Sequence, residues 1–122
     1  MISVKTVNNI VDAFPIGILA QTDVLTPEEN DLLISKVYKL RNTFGAGNTS
    51  DWLSGKLSPD NCYRQSNVAE YLEFRPLVER ITQCVHELAR AYGSDDAYEC
   101  TEGWYNIYKS NRYQEYHVHP NS

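Results

Sequence analysis

The chain has 122 residues, of which 42% are hydrophobic and 22% charged, with 16 acidic and 11 basic side chains. This length fits a single domain, and the composition is that of an ordinary globular chain rather than a disordered or fibrous one. A formal net charge of -5 argues against general nucleic-acid binding, which uses a basic surface to meet phosphates. No apolar run approaches the ~20 residues of a membrane span, and the N-terminal residues do not form a signal peptide.

The three cysteines are far apart in the sequence, at Cys62, Cys84 and Cys100. An odd number without a Cys-x-x-Cys pair indicates neither a zinc ribbon nor a disulfide framework. Because free thiols are typical of a reducing compartment, we predict a cytoplasmic protein.

The first part of the chain predicts an extended segment over residues 1–25, with one strand near Ile16–Ala20. The sequence Thr26-Pro27-Glu28-Glu29 then combines an N-cap hydroxyl, a proline at the first helical position and a glutamate at the third, which is a capping box. A predicted helix over residues 27–44 follows and ends at Gly45. Its predicted buried stripe consists of Leu33, Val37, Leu40 and Phe44.

Residues 45–66 are rich in Gly, Asn, Ser and Asp and predict a long loop, with a short helical turn after it at Val68–Phe74. A second helix is predicted over residues 76–92, with Pro76 at its start and Gly93 as its stop. The apolar stripe predicted for this helix consists of Leu77, Ile81, Cys84 and Leu88.

The last part of the chain is dense in aromatic and β-branched residues, which predicts two strands within residues 98–119, joined by a tight turn at Ser110-Asn111. Trp104 is predicted to be a core anchor on the first of these strands. Trp52, in the long loop, is left open between a core residue and a substrate lid.

Histidines and a carboxylate alternate along the second predicted strand. Glu115, His117 and His119 would therefore project from one face. Two imidazoles at positions i and i+2 can reach a single divalent metal ion. His-x-His pairs are also found as surface or hydrogen-bonded residues, so the spacing alone leaves both interpretations open. His86, on the second predicted helix, is expected to be partly buried and hydrogen-bonded.

The residues around this pair resemble a known family. Asn106 to His119 is similar to the segment Asn-x-Tyr-x-x-Gly-x5-His-x-Asp/Glu of the iron(II)/2-oxoglutarate-dependent dioxygenases. More narrowly, Trp104 to Ser122 resembles a bacterial and phage subfamily of these oxygenases that has a His-x-His-Pro-x-Ser signature. Phe14-Pro15 and Ser50-Asp51-Trp52 also resemble that subfamily.

The resemblance implies a set of site residues and cofactors. His117 and His119 would bind Fe(II), and the side chains of Asn106 and Tyr108 would bind 2-oxoglutarate, the small-molecule cosubstrate that the family uses with O2 for hydroxylation. His119 replaces the carboxylate of the usual ligand set. Either Glu115 supplies that charge, or His119 lies beside the ligands or the substrate.

The resemblance also implies an α+β fold, in which two helices pack on the opening strands of a double-stranded β-helix, or jelly roll. Only those opening strands fit in this chain, so the jelly roll would be incomplete. We expect an N-terminal part of a longer oxygenase that is inactive alone, in the host cytoplasm if a phage encodes it. A complete helical domain with a terminal hairpin is the other possibility.

Two other functions remain open. The first is a non-catalytic structural or virion-type module, in which the terminal strands pair with a protein partner by strand addition. The second is a structural zinc or copper site that uses the same histidines.

Overall fold

A computed structural model of the chain describes residues 6–7, 10–13, 16–47, 52–62 and 65–117. It has an α+β architecture with two helices, α1 (Pro27–Phe44) and α2 (Arg75–Ala91). Strands β1 (Thr6–Val7), β2 (Ile10–Ala13) and β3 (Ile16–Leu19) form one antiparallel sheet, and β4 (Asp60–Asn61) and β5 (Asn106–Ile107) form another.

The bounds of α1 confirm the helix predicted over residues 27–44. Thr26 has an extended backbone, and its hydroxyl accepts a hydrogen bond from the Glu29 N–H at 3.1 Å. The Glu29 carboxylate in turn accepts from the Thr26 N–H at 2.9 Å. This reciprocal capping box satisfies two backbone donors that no helical carbonyl can reach. Gly45, with a φ of 77°, ends the helix by donating to the Arg41 carbonyl oxygen.

Helix α2 begins and ends one residue earlier than predicted. Two 3-10 turns precede it, at Val68–Glu70 and Leu72–Phe74, which confirms the short helical turn predicted there. Gly93, with a φ of 83°, follows its C-terminus as predicted.

The N-terminal sheet is an antiparallel meander in which Val11 pairs with both Thr6 and Ile18. Its strand β3 confirms the strand predicted near residues 16–20. This strand also contacts α2, where the Gly17 N–H donates to the Tyr92 hydroxyl. The sheet is thereby attached to the C-terminal end of α2.

The predicted pair of strands within residues 98–119 is wrong for the described residues of that range. Only Asn106–Ile107 is a strand, and it pairs antiparallel with Asp60–Asn61 of the long loop. The predicted turn is confirmed, because the Arg112 N–H donates to the Lys109 carbonyl at 3.1 Å and Asn111 has a left-handed φ of 64°. Residues 118–119 lie outside the described residues.

In the part of the chain that the structure describes, the core is a small cluster between the helices and the β4–β5 pair. Its buried members come from α1, the long loop, the two 3-10 turns and the position directly before β5: Leu40, Cys62, Val68, Phe74 and Tyr105. Leu33 and Val37 of α1 pack against this cluster as predicted, and so does Ile107.

Three residues that were predicted to be buried are exposed. Trp104 is 37% exposed, because successive side chains of an extended segment point in opposite directions and its neighbour Tyr105 points into the core. Phe44 is 39% exposed, since it lies in the turn of α1 that follows the last core residue, Leu40. Ile81 of α2 is 49% exposed, and no residue of that helix is fully buried.

A buried carboxylate joins three parts of the chain. Asp60 is almost completely buried, and its carboxylate lies 3.1 Å from Arg41 Nε and 3.7 Å from Arg112 Nη1. Arg112 Nη1 also donates to the Ser58 carbonyl oxygen at 2.6 Å. A buried charge is costly unless it is paired, so these two arginines stabilise β4 in its place between α1 and the turn after β5.

The α+β class therefore agrees with the expectation from the sequence. The described strands form sheets of three and two strands, and these do not show a jelly roll, which stays a prediction. Among the described helices, neither is long and apolar enough to cross a membrane.

Candidate functional site

Two of the predicted site residues come together after β5. The Tyr108 hydroxyl donates to Gln114 Oε1 at 2.8 Å, and Gln114 Nε2 lies 3.5 Å from His117 Nε2. The turn at Lys109–Arg112 reverses the chain between them. Gln114 thus connects the predicted 2-oxoglutarate residue Tyr108 with the predicted iron ligand His117.

The hydrogen bonds of His117 indicate which of its ring nitrogens carries the proton. Nδ1 lies 3.0 Å from the carbonyl oxygen of Glu115, which can only accept, so Nδ1 is the protonated nitrogen. Nε2 then carries the lone pair, which accepts from the Gln114 amide. The side chain is exposed, so Nε2 is the atom that a metal ion would meet.

Glu115 has a role that the sequence did not predict. Its carboxylate accepts hydrogen bonds from two consecutive backbone N–H groups of the long loop, Leu53 at 3.2 Å and Ser54 at 3.0 Å. The expectation that Glu115 and His117 alternate along a strand is wrong, because residues 112–117 are not in a strand. Glu115 therefore attaches the loop instead of facing a metal ion beside His117.

Trp52 is half-buried and lies against the predicted iron ligand. Its ring centroid is 5.5 Å from that of His117, with the planes tilted by 42°. Trp52 therefore lies at the edge of the candidate site. The two interpretations of this tryptophan, core residue or substrate lid, both stay predictions.

Asn106 lies in β5, where it pairs with Asn61 in the β4–β5 ladder. The hydrogen bonds that connect Tyr108, Gln114 and His117 in the described structure do not include it. The predicted 2-oxoglutarate pair is therefore divided between the small sheet and the segment after it.

The fit of these residues to iron is incomplete. His119 lies outside the described residues, and among those that the structure describes, no three His, Cys, Asp or Glu side chains are placed to hold a metal ion. One imidazole is too few ligands for iron. The described residues thus do not form the predicted centre by themselves.

A second group of titratable residues lies in the core. Burial raises the pKa of Tyr105 to about 12, with further increases from Cys62 and Asp60 nearby. Burial also raises the pKa of the Cys62 thiol above its usual range. Both groups are therefore neutral near pH 7, which is typical of structural rather than reactive residues.

The remaining histidine has the structural role that was predicted for it. His86 Nε2 accepts the Tyr98 N–H at 2.9 Å, and the two rings are 5.8 Å apart. It borders a cavity of about 250 Å³ whose other lining residues are Arg90, Ser94, Asp95, Asp96 and Ala97.

Gln114 and the contact of Trp52 with His117 are the parts of the site that the sequence analysis missed. Both depend on how the chain folds back after β5, and the only signal for Gln114 is its place between Tyr108 and His117.

No family model, curated protein or solved structure matches the chain. The family resemblance rests on the motif residues alone.

Proposed function

We propose that this chain contributes to the site of an Fe(II)/2-oxoglutarate-dependent oxygenase, with His117 and His119 as iron ligands and Asn106 and Tyr108 as residues that bind 2-oxoglutarate. Two observations support the proposal. The motif residues occur in the order that the family resemblance requires, and Gln114 brings Tyr108 and His117 to one place. The second observation carries the proposal, since it is independent of the motif.

The chain's own residues prepare this site in two ways. The Glu115 carbonyl oxygen holds the proton of His117 on Nδ1, which places the lone pair of the ring on Nε2. Gln114 holds the Tyr108 hydroxyl at the same place, so a cosubstrate bound at Tyr108 would lie near the metal. Metal binding at Nε2 would displace the Gln114 amide.

The experiment is a titration of Mn(II), as a redox-stable substitute for Fe(II), into the full chain with and without 2-oxoglutarate. Free Mn(II) is measured by electron paramagnetic resonance. We expect His117→Ala and His119→Ala each to weaken Mn(II) binding by at least the roughly 10- to 100-fold that is lost when only a residue supporting a ligand is removed. His86→Ala is the matched control and should bind as the wild type does. Wild-type affinity in both site variants would contradict the proposal.

The cosubstrate part of the proposal is tested separately. Asn106→Ala and Tyr108→Phe remove groups that would bind carboxylates but leave the histidines in place. We expect Mn(II) affinity without 2-oxoglutarate to be unchanged, and the tightening on addition of 2-oxoglutarate to be lost. Tightening at the wild-type level in both variants would show that these residues do not bind it.

One observation favours the second candidate, a non-catalytic module that binds a protein partner. Leu53 is fully exposed and Tyr116 is 94% exposed, and Glu115 holds their two segments together. Exposed apolar side chains on two segments that are joined in this way are typical of interaction surfaces. A partner-binding module would show association that Tyr116→Ser abolishes and Mn(II) does not affect, measured by sedimentation velocity.

A further inference from the structure

We infer that Glu115 is a positioning residue that fixes Trp52 against His117, so that the indole ring forms one wall of the site. The position of the ring follows from the contacts of Glu115, Trp52 and His117. Its role as a wall of a binding site rests on the proposed function.

The two oxygens of the Glu115 carboxylate are both engaged by the loop. Oε1 accepts from the Leu53 N–H and Oε2 from the Ser54 N–H. These residues follow Trp52 directly, so the carboxylate fixes the backbone at the point from which the indole projects. Hydrogen bonds from backbone N–H groups to a carboxylate are about twice as strong as neutral ones.

Further contacts hold the same loop. The Gly55 N–H donates to the Trp52 carbonyl at 3.0 Å, which closes a turn directly after the tryptophan. The Tyr113 N–H donates to the Leu57 carbonyl at 2.9 Å, which gives the loop a second attachment to the segment that carries His117. Glu115 is the attachment nearest to Trp52, so its loss should release the indole and leave the rest of the loop in place.

The surroundings of the ring indicate what it does there. Trp52 touches His117 yet is only half-buried, while its neighbour Leu53 points fully into solvent. A ring held beside a ligand-binding imidazole, with part of its surface free, is placed to contact whatever binds at that imidazole. This interpretation removes Glu115 from the possible iron ligands, because its carboxylate already binds the loop.

The inference is tested by the fluorescence of Trp52. Trp52 and Trp104 are the two tryptophans of the chain, so Trp104→Phe leaves Trp52 as the single reporter. A half-buried indole is partly shielded from a neutral quencher such as acrylamide, and this shielding is lost when the ring is released into solvent. Quenching of the emission by acrylamide is recorded at one fixed pH.

We expect Glu115→Ala to raise the acrylamide quenching constant of the Trp104→Phe protein by about twofold, because the half-buried indole no longer stays in contact with His117 and becomes exposed. His117→Ala should also raise this constant, because it removes the ring that covers part of the indole. Glu115→Gln keeps one acceptor oxygen and should give an intermediate increase. Glu102→Ala, which removes an exposed carboxylate from the same C-terminal part of the chain, is the matched control.

An acrylamide quenching constant equal to that of the Trp104→Phe protein in both Glu115 variants would overturn the inference. The helical signal in circular dichroism must be unchanged in each variant, and Glu115→Gln serves if Glu115→Ala fails this condition. The Mn(II) titration separates the two proposals. If the acrylamide quenching depends on Glu115 and His117 but Mn(II) binding does not depend on His117, the positioning role stands and the oxygenase proposal fails.

Discussion

The hydroxyl of Tyr105 lies in the core, and no described group forms a hydrogen bond with it. A buried polar group without a partner costs roughly 1–3 kcal/mol, since it loses its hydrogen bonds to water on folding. Tyr71, at the edge of the same core, is the opposite case, because its hydroxyl accepts from Ser66 Oγ at 2.8 Å. The two tyrosines therefore form a matched pair for mutation.

Removing the Tyr105 hydroxyl and removing the Tyr71 hydroxyl should change the free energy of unfolding in opposite directions. We expect Tyr105→Phe to raise the free energy of unfolding by about 1 kcal/mol, because the unpaired group is lost and the packed ring is kept. Tyr71→Phe should lower it by about 1 kcal/mol, because the bond to Ser66 is lost. Urea denaturation measures both. A destabilised Tyr105→Phe protein would show that the hydroxyl has a partner.

At the residue scale, the candidate site was only partly predictable from the sequence. The motif is a local pattern and identified Tyr108 and His117, which the structure connects. Gln114 was not identified as a site residue, and Trp52 was left open between a core residue and a substrate lid, because their places depend on a turn and on a loop that returns from distant sequence. Glu115 was assigned to a metal-facing strand face, and that assignment failed because the segment binds the loop and does not form a strand.

At the scale of elements, the N-terminus of α1 is joined to α2 by one glutamate. Glu29 completes the capping box with Thr26 and also accepts from Arg80 Nη1 at 2.8 Å. The hydrogen bond from Arg80 is the main cause of a lowered pKa of Glu29, followed by the bond from the Thr26 N–H. Protonation of this one carboxylate would weaken both the cap and the contact between the helices.

This lowered pKa gives a pH dependence with a definite sign. A carboxylate whose pKa is lower in the folded state stabilises the fold above its unfolded pKa of about 4.3, and this contribution is lost as the pH falls through the folded value. We expect Glu29→Gln to reduce the loss of stability on acidification below about pH 4.5, measured as the urea midpoint at each pH. Glu28→Gln, in the same helical turn, is the control and should retain the wild-type slope.

The elements differ in how well the sequence predicts them, for a physical reason. The bounds of α1 were predicted to the residue and those of α2 to within one, because caps and helical periodicity act over a few residues. Strand β5 was predicted inside a much longer hairpin. Its true partner, Asp60–Asn61, carries no strand signal and is held in place by Arg41 and Arg112 from distant parts of the chain.

For the molecule as a whole, stability depends on few buried side chains. Among the described residues, the core cluster draws one buried residue from each of five segments, and the 3-10 turn that carries Phe74 contacts α1. Helix α2 contributes partly buried Val78 to this cluster, while the side of the helix that carries Ile81 and Val85 is largely exposed. The predicted apolar stripe of α2 therefore does not contribute to the core in the way that the stripe of α1 does.

Truncating one buried residue, Phe74, and one exposed residue, Ile81, measures how much each kind of side chain contributes to stability. Phe74→Ala should lower the free energy of unfolding by about 3–5 kcal/mol, because it removes a fully packed ring and leaves a cavity. Small domains have about 5–15 kcal/mol in total, so this variant should be close to unfolding at ordinary temperatures. Ile81→Ala should cost about 1 kcal/mol or less, since half of the side chain already faces solvent. Urea denaturation with the helical signal as readout compares the two, and equal losses would show that the Ile81 side of α2 is packed in solution.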